Sequence, residues 1–268
     1  MLADTGESFW HSNEDALKID SVIREKYGDN CRCIDYVLIS HFHLDHIRYI
    51  FIPETPDNFP LNKHLKKLKT GESPYKPLGY GGLGYLVLEK NYQIGKMFVR
   101  DFRNHNPNKS PQDNGSKTFR NWKIILESYE GKKQFHPVTA KLGKNQIQLG
   151  EIEGRPVIVD IIAVDGATPS NLDGCDPCIY FDDCGDTIRG NQSENELPPS
   201  ENDLSISFIL SFGDFQMYIG GDTSGRNYVS EYGYKYHDVE TCLAADPIIK
   251  KRYGGHLEIL RANHHGSS

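Results

Sequence analysis

His41-Phe42-His43-Leu44-Asp45-His46 sets three imidazoles and a carboxylate within six consecutive residues. In an extended segment, residues two apart point to the same side, so His41 and His43 can grip one cation together. Asp45 and His46 fall where the chain turns toward its next element, and they can aim at a second cation. Imidazole and carboxylate suit zinc, and also manganese or iron. A chance histidine-rich turn would account for the types but not for the place. The cluster directly follows a short apolar run, and α/β proteins put their sites at strand ends.

Two further clusters occupy similar places. Asp222 follows Ile219-Gly220-Gly221 at the end of an apolar run. Its carboxylate can bridge two metals, although an Asp after Gly is more often a turn residue. Asn263-His264-His265-Gly266-Ser267 ends the last apolar run. That pair offers one ligand and one acid or phosphate-binding group. The three clusters in this order are more specific than any one of them.

The elements that must position these residues are read from periodicity. Residues 14–27 place Leu17, Ile19, Val22, Ile23 and Tyr27 at helical spacing, with Asn13 as cap and Gly28 as stop. The run 34–40 is apolar and rich in β-branched residues, which predicts a buried strand. Residues 53–136 read as an insertion. It holds a helix near 61–69, a glycine-rich stretch at 79–84 taken as a lid or plain loop, and a helix near 117–130. Strands are expected at 146–149 and 156–164, then a polar insertion or lid at 165–200. Strands at 204–212 and 215–219 flank a Gly213-Asp214 hairpin turn. A helix over 238–253 breaks at Asp246-Pro247, and 257–262 forms a last strand. No repeat and no clean linker divides the chain, so one domain over 1–268 is expected.

With these motifs in this order, the chain resembles the metallo-β-lactamase superfamily. Its stretches SHFHLDH, SENDLSISF, YIGGDTSG and NHHGSS are most similar to the ComEC-type branch. That branch includes the competence-protein hydrolase domain and choline-phosphate esterases. The similarity covers nearly the whole chain, with insertions at 53–136 and 165–200. It implies an α/β fold, the four-layer αββα sandwich, here with terminal strands missing. It implies two divalent metal ions, zinc or else manganese. His41 and His43 would hold the first, Asp45 and His46 the second, with Asp222 bridging. His265 would complete the second site and His264 would donate a proton or hold phosphate. The implied activity is a hydrolase that uses a metal-bound hydroxide, oriented by Asp45, on a phosphodiester-type substrate. A non-catalytic binding or structural protein and an ester or lactone hydrolase are the alternatives.

The chain departs from that pattern in three places. No lone histidine precedes the strand leading to Gly-Asp, where Glu201-Asn202-Asp203 stand instead. Water or Asp203 would then complete the first site. Ile47-Arg48-Tyr49 follow His46 where the branch usually has glycines. Both ends are short for the family, which implies a fragment or lost strands, and an apolar edge left open.

Composition narrows the partners. Among 268 residues, 30 Lys and Arg against 37 Asp and Glu leave a net charge of -7. That disfavours a general nucleic-acid coat, although a local basic groove and a nucleic-acid substrate stay open. A small-molecule or phosphodiester substrate is expected. No apolar run approaches the roughly 20 residues of a membrane span, and no signal-peptide pattern opens the chain, so a cytoplasmic location is expected. Cys175, Cys178 and Cys184 read as thiols in a surface insertion. His11, His64, His105, His136, His237 and His256 stand alone and read as structural or solvent-exposed. Lys63, Lys66, Lys67 and Lys69 read as a solvated helix face or a phosphate-contacting patch.

Overall fold

The strand that carries the histidine cluster lies inside a parallel sheet. A computed structural model describes residues 1–6, 13–51, 79–103, 117–144, 146–170, 200–229, 235–261 and 263–266. The chain divides into two units, Met1–Phe98 with Asn114–Val138, and Val99–Asp113 with Thr139–Ser268.

In the first unit, β1 (Leu2–Ala3) leads to α1 (Glu14–Tyr27) and then β2 (Cys33–Leu38). β1 and β2 pair in parallel, Leu2 opposite Val37. Parallel neighbours need a crossover, and α1 lies within it. The buried residues of α1 are Ala16 and Asp20, with Ile19 and Ile23 half-buried, while Leu17, Val22 and Tyr27 are exposed. The stripe therefore runs 16, 19, 20, 23, and a polar residue sits within it. Asp20 is held there by the Tyr92 hydroxyl at 3.0 Å and by Arg24, Arg32 and Lys90 within 4 Å. Burial, and then the bond to Asp20, pushes the Tyr92 phenol up to about 12. Asn13 adopts a left-handed backbone with φ 55 and makes no side-chain cap, contrary to expectation.

After β2 come α2 (Leu44–Ile47), β3 (Ile50–Phe51), β4 (Gly79–Tyr80) and α3 (Gly82–Leu88). The glycine-rich stretch is thus a strand end and a helix start, not a lid. The next element, β5 (Gln93–Val99), has no counterpart in the sequence reading, yet it pairs in parallel with β2 at the middle of the sheet. α4 (Lys117–Glu127) and α5 (Tyr129–Phe135) replace the one helix expected over 117–130. Ser128 breaks them and caps α5 by accepting from the Gly131 N–H. Phe119, Trp122 and Leu126 form the buried stripe, and Tyr129 is exposed. β6 (Pro137–Thr139) completes the sheet order β1-β2-β5-β6.

The second unit is built on a mixed five-stranded sheet. β7 (Gln148–Ile152), β8 (Arg155–Ala163), β9 (Ser207–Phe212) and β10 (Phe215–Ile219) run as an antiparallel meander. Gly213 supplies the positive φ that the β9–β10 turn requires. A short pair, β11 (Tyr228–Val229) and β12 (Lys235–Tyr236), is followed by α6 (Val239–Ala245) and α7 (Pro247–Tyr253). Asp246 separates those helices as its Pro neighbour predicts. β13 (Ile259–Arg261) adds to β10 in parallel, giving the order β13-β10-β9-β8-β7. Ile162, Ile209, Tyr218, Val239, Leu243 and Tyr253 form a core between this sheet and the two helices. The chain is mixed α/β, and among the described residues no helix is long and apolar enough to cross a membrane.

Candidate metal centre

The ladder between β2 and β5 ends where the Ile39 N–H donates to the Phe98 carbonyl. Ser40 and His41 then leave the sheet, His41 fully buried. His43 starts α2, whose single turn carries Asp45 and buried His46. His41 Nε2 and His43 Nδ1 stand 3.0 Å apart. Two nitrogens on one tetrahedral zinc would stand about 3.3 Å apart, given Zn–N bonds of about 2.0–2.1 Å. The pair therefore fits one cation with small adjustment. The donor atoms of Asp45 and His46 lie within 4.8 Å of one another. The ring centroids of His41 and His46 are 4.1 Å apart, so the two donor pairs are neighbours.

Two residues outside the motif orient it. The Asp4 carboxylate accepts from the Ser40 N–H at 2.8 Å and the Ser40 hydroxyl at 2.9 Å, and meets His46 Nδ1 at 3.0 Å. The same hydroxyl lies 3.0 Å from His41 Nδ1. Asp4 and Ser40 thus engage the Nδ1 atoms of both buried histidines, so that a metal on either ring would meet Nε2. Ligating histidines have this arrangement, because the partner on the far nitrogen sets tautomer and ring angle. Neither residue announced this role by type or spacing. Asp4 belongs to the segment Asp4-Thr5-Gly6, which packs on the motif. The close fit of that segment is steric: a Cβ on Gly6 would lie 2.0–2.2 Å from backbone atoms of Asp45 and His46.

The departure after His46 also has a structural account. Arg48 has φ 67 and ψ 170, a region that is nearly glycine's own. The Trp122 indole donates to the Arg48 carbonyl at 2.7 Å, and the Arg48 N–H donates to Leu44. Space for its side chain comes from the glycine stretch. A Cβ on Gly81 would lie 2.3 Å from Arg48 Cγ, and one on Gly82 would lie 2.8 Å from Arg48 Cβ.

The second unit holds the other two clusters. Asp222 is buried just after β10, and its N–H donates to the Ser205 hydroxyl at 3.2 Å. His264 and His265 lie in the helical turn Asn263–Gly266, and their side chains fall outside the described residues. Asn263 anchors that turn. Its Nδ2 stands 2.9 Å from the Tyr218 hydroxyl, 2.6 Å from Thr223 and 2.5 Å from the Glu240 carboxylate. Burial pushes the Glu240 carboxyl above its ordinary value, with Asn263 opposing.

Asp203 is fully buried and paired with His237. Its Oδ1 accepts from the His237 N–H at 3.1 Å, and its Oδ2 meets His237 Nδ1 at 3.0 Å and the Ser200 N–H at 3.3 Å. His237 is accordingly one half of a buried pair and not an isolated histidine. Its neighbour Tyr236 is pushed up to about 12, first by burial, then by Tyr228 and the Asp203 and Asp222 carboxylates. His136 and His256 keep to local partners, the Gly95 carbonyl and Glu258. His11, His64, His105, the four lysines and Cys175, Cys178 and Cys184 lie outside the described residues. Cys31 and Cys33 are free thiols, whereas Cys242 takes part in a disulfide.

No protein-family model and no curated protein matches the chain.

Proposed function

We propose that the chain is a metal-dependent hydrolase of the metallo-β-lactamase superfamily, with its αββα sandwich, acting on phosphodiester-type substrates. The carrying observation is the His41–His43 pair, its nitrogens 3.0 Å apart at the end of a buried strand. The resemblance of all three strand-end clusters to the ComEC-type branch supports the class. In this reading His41 and His43 would hold one divalent ion and Asp45 and His46 a second. The resemblance names Asp222 and His265 as the further residues that would hold metal. Zinc or manganese, when bound, supplies acidification of water and polarisation of a phosphoryl oxygen.

The chain's own groups do the rest. Asp4 and Ser40 hold the rings of His41 and His46, so no reorganisation is needed when substrate arrives. Burial of both rings excludes bulk water and strengthens every charge interaction there. Asp45 orients the attacking water. His264 protonates the leaving oxygen or holds a phosphate oxygen. The net charge of -7 favours a small phosphodiester over long nucleic acid.

Elemental analysis of purified protein, with hydrolysis of bis(p-nitrophenyl) phosphate, tests this reading. Bound zinc or manganese is expected, with turnover abolished by chelation and by His41→Ala. No metal and no turnover, with metal supplied, would leave a non-catalytic binding protein. Turnover of p-nitrophenyl esters alone would move the substrate class to esters or lactones.

A further inference from the structure

We infer that the second unit binds a small apolar amine in the cavity between its sheet and the helices α6 and α7. The inference does not depend on the metal-centre reading. The cavity measures about 620 Å³. A close-packed core leaves few voids larger than a water molecule, whereas ligand pockets run from about 300 to 1,000 Å³ and are mostly apolar with a few placed polar groups. Ile162 and Ile209 line this one from the sheet, Leu243 and Ile249 from the helices, and Leu257 and Leu260 from the segment that forms β13. Ile162, Ile209 and Leu243 are buried, while Leu260 is 64% exposed, so the cavity runs from the core to the surface.

The polar groups on this wall choose the ligand's charge. Glu240, in the first turn of α6, lines the cavity. Its Oε1 accepts from Asn263 Nδ2, and among the described residues no lysine, arginine or histidine pairs with it. Lys250 lines the same cavity, but from an exposed position where water serves its charge. A carboxylate beside apolar walls is costly without a compensating partner, and burial already pushes the Glu240 carboxyl above its ordinary value. Asn263 lines the cavity as well, and its buried Oδ1 takes no donor among the described residues. Both groups are acceptors. An ammonium brings positive charge and N–H donors together, and its apolar chain suits the Ile and Leu walls. A ligand carboxylate would instead set a second negative charge beside Glu240.

Calorimetric titration of the whole chain with heptylamine, heptan-1-ol and heptanoate tests this, with chelator present throughout so that no amine meets metal. Heptylamine is expected to bind about tenfold or more tightly than heptanoate. Glu240→Gln keeps an oxygen for Asn263 and removes the charge. It should weaken heptylamine about tenfold and leave heptan-1-ol unchanged. Ala244→Trp, at an exposed position on the cavity wall, should block both amine and alcohol. Methyl NMR of the unaltered chain places the ligand without any variant, since heptylamine should shift the signals of Ile162, Ile209 and Leu243. Heptanoate bound as tightly as heptylamine, an amine affinity unchanged in Glu240→Gln, or methyl signals unmoved by heptylamine would each overturn the inference. Because chelator is present, those failures leave the metal-centre reading untouched.

Discussion

Asp4 shows how a residue outside a motif can govern it. Its backbone sits at φ 48, in the left-handed region that Asn and Asp tolerate best among residues with a side chain. Asp4→Asn should therefore fold, keeping an oxygen for Ser40 while losing the charge that faces His46. Metal affinity is expected to fall about 10- to 100-fold, read by titration with a chromophoric chelator, with little change in the melting temperature of metal-free protein. Gly82 is a different kind of residue. Its φ is 49, and a Cβ there would lie 2.4 Å from the Thr5 carbonyl oxygen. Gly82→Ala should destabilise by more than about 1 kcal/mol, seen as a lower urea midpoint. Because Thr5 also donates its N–H to His46, the same change should weaken metal binding.

At the scale of elements, the α6–α7 junction carries a pH dependence. Asp246 accepts from the Ile248 and Ile249 N–H groups at the start of α7, and from the Ser170 N–H and hydroxyl. Burial pushes its carboxyl up, but the Ser170 and backbone donors outweigh this and hold it below the usual carboxylate value. A folded value below the unfolded one, about 3.9, means stability that is present above that pH. It is lost as pH falls through the folded value. Asp246→Asn should thus flatten part of the acid-side loss below about pH 4. Asp246→Ala removes the cap altogether and should cost about 1 kcal/mol or more at neutral pH. Chemical denaturation across a pH series measures both.

For the whole molecule, metal and stability should be linked. A cation that binds only the folded chain stabilises it by about 2.7 kcal/mol when present at 100 times its dissociation constant. Zinc should raise the melting temperature of wild-type protein, and a chelator should reverse the rise. His41→Ala should lose most of this response while its metal-free melting temperature stays close to that of metal-free wild type. A zinc response unchanged in His41→Ala would show that the stabilising ion binds elsewhere.

Much of the framework was legible because it depends on near neighbours. The run 34–40 is apolar and rich in β-branched residues, so a strand with a polar cluster at its end could be read directly, and Ile34, Val37 and Leu38 of β2 are buried. Gly213 at the hairpin and Asp246-Pro247 at the helix break act through backbone angles and caps within a few residues. β5 escaped notice because Gly95 and Lys96 interrupt its apolar run. The glycine is needed there, since a Cβ would lie 2.5 Å from the Asp35 carbonyl oxygen on the neighbouring strand. Asp20 broke the α1 stripe because its compensating partners come from Arg32, Lys90 and Tyr92 beyond the helix. The carboxylates that position buried histidines were equally hidden. Asp4 reaches Ser40 across 36 positions, and Asp203 reaches His237 across 34. The sequence by itself determined which side chains are able to hold metal. Only the tertiary structure decided which buried carboxylates turn those rings, because a hydrogen bond between distant segments leaves no periodic trace in either one.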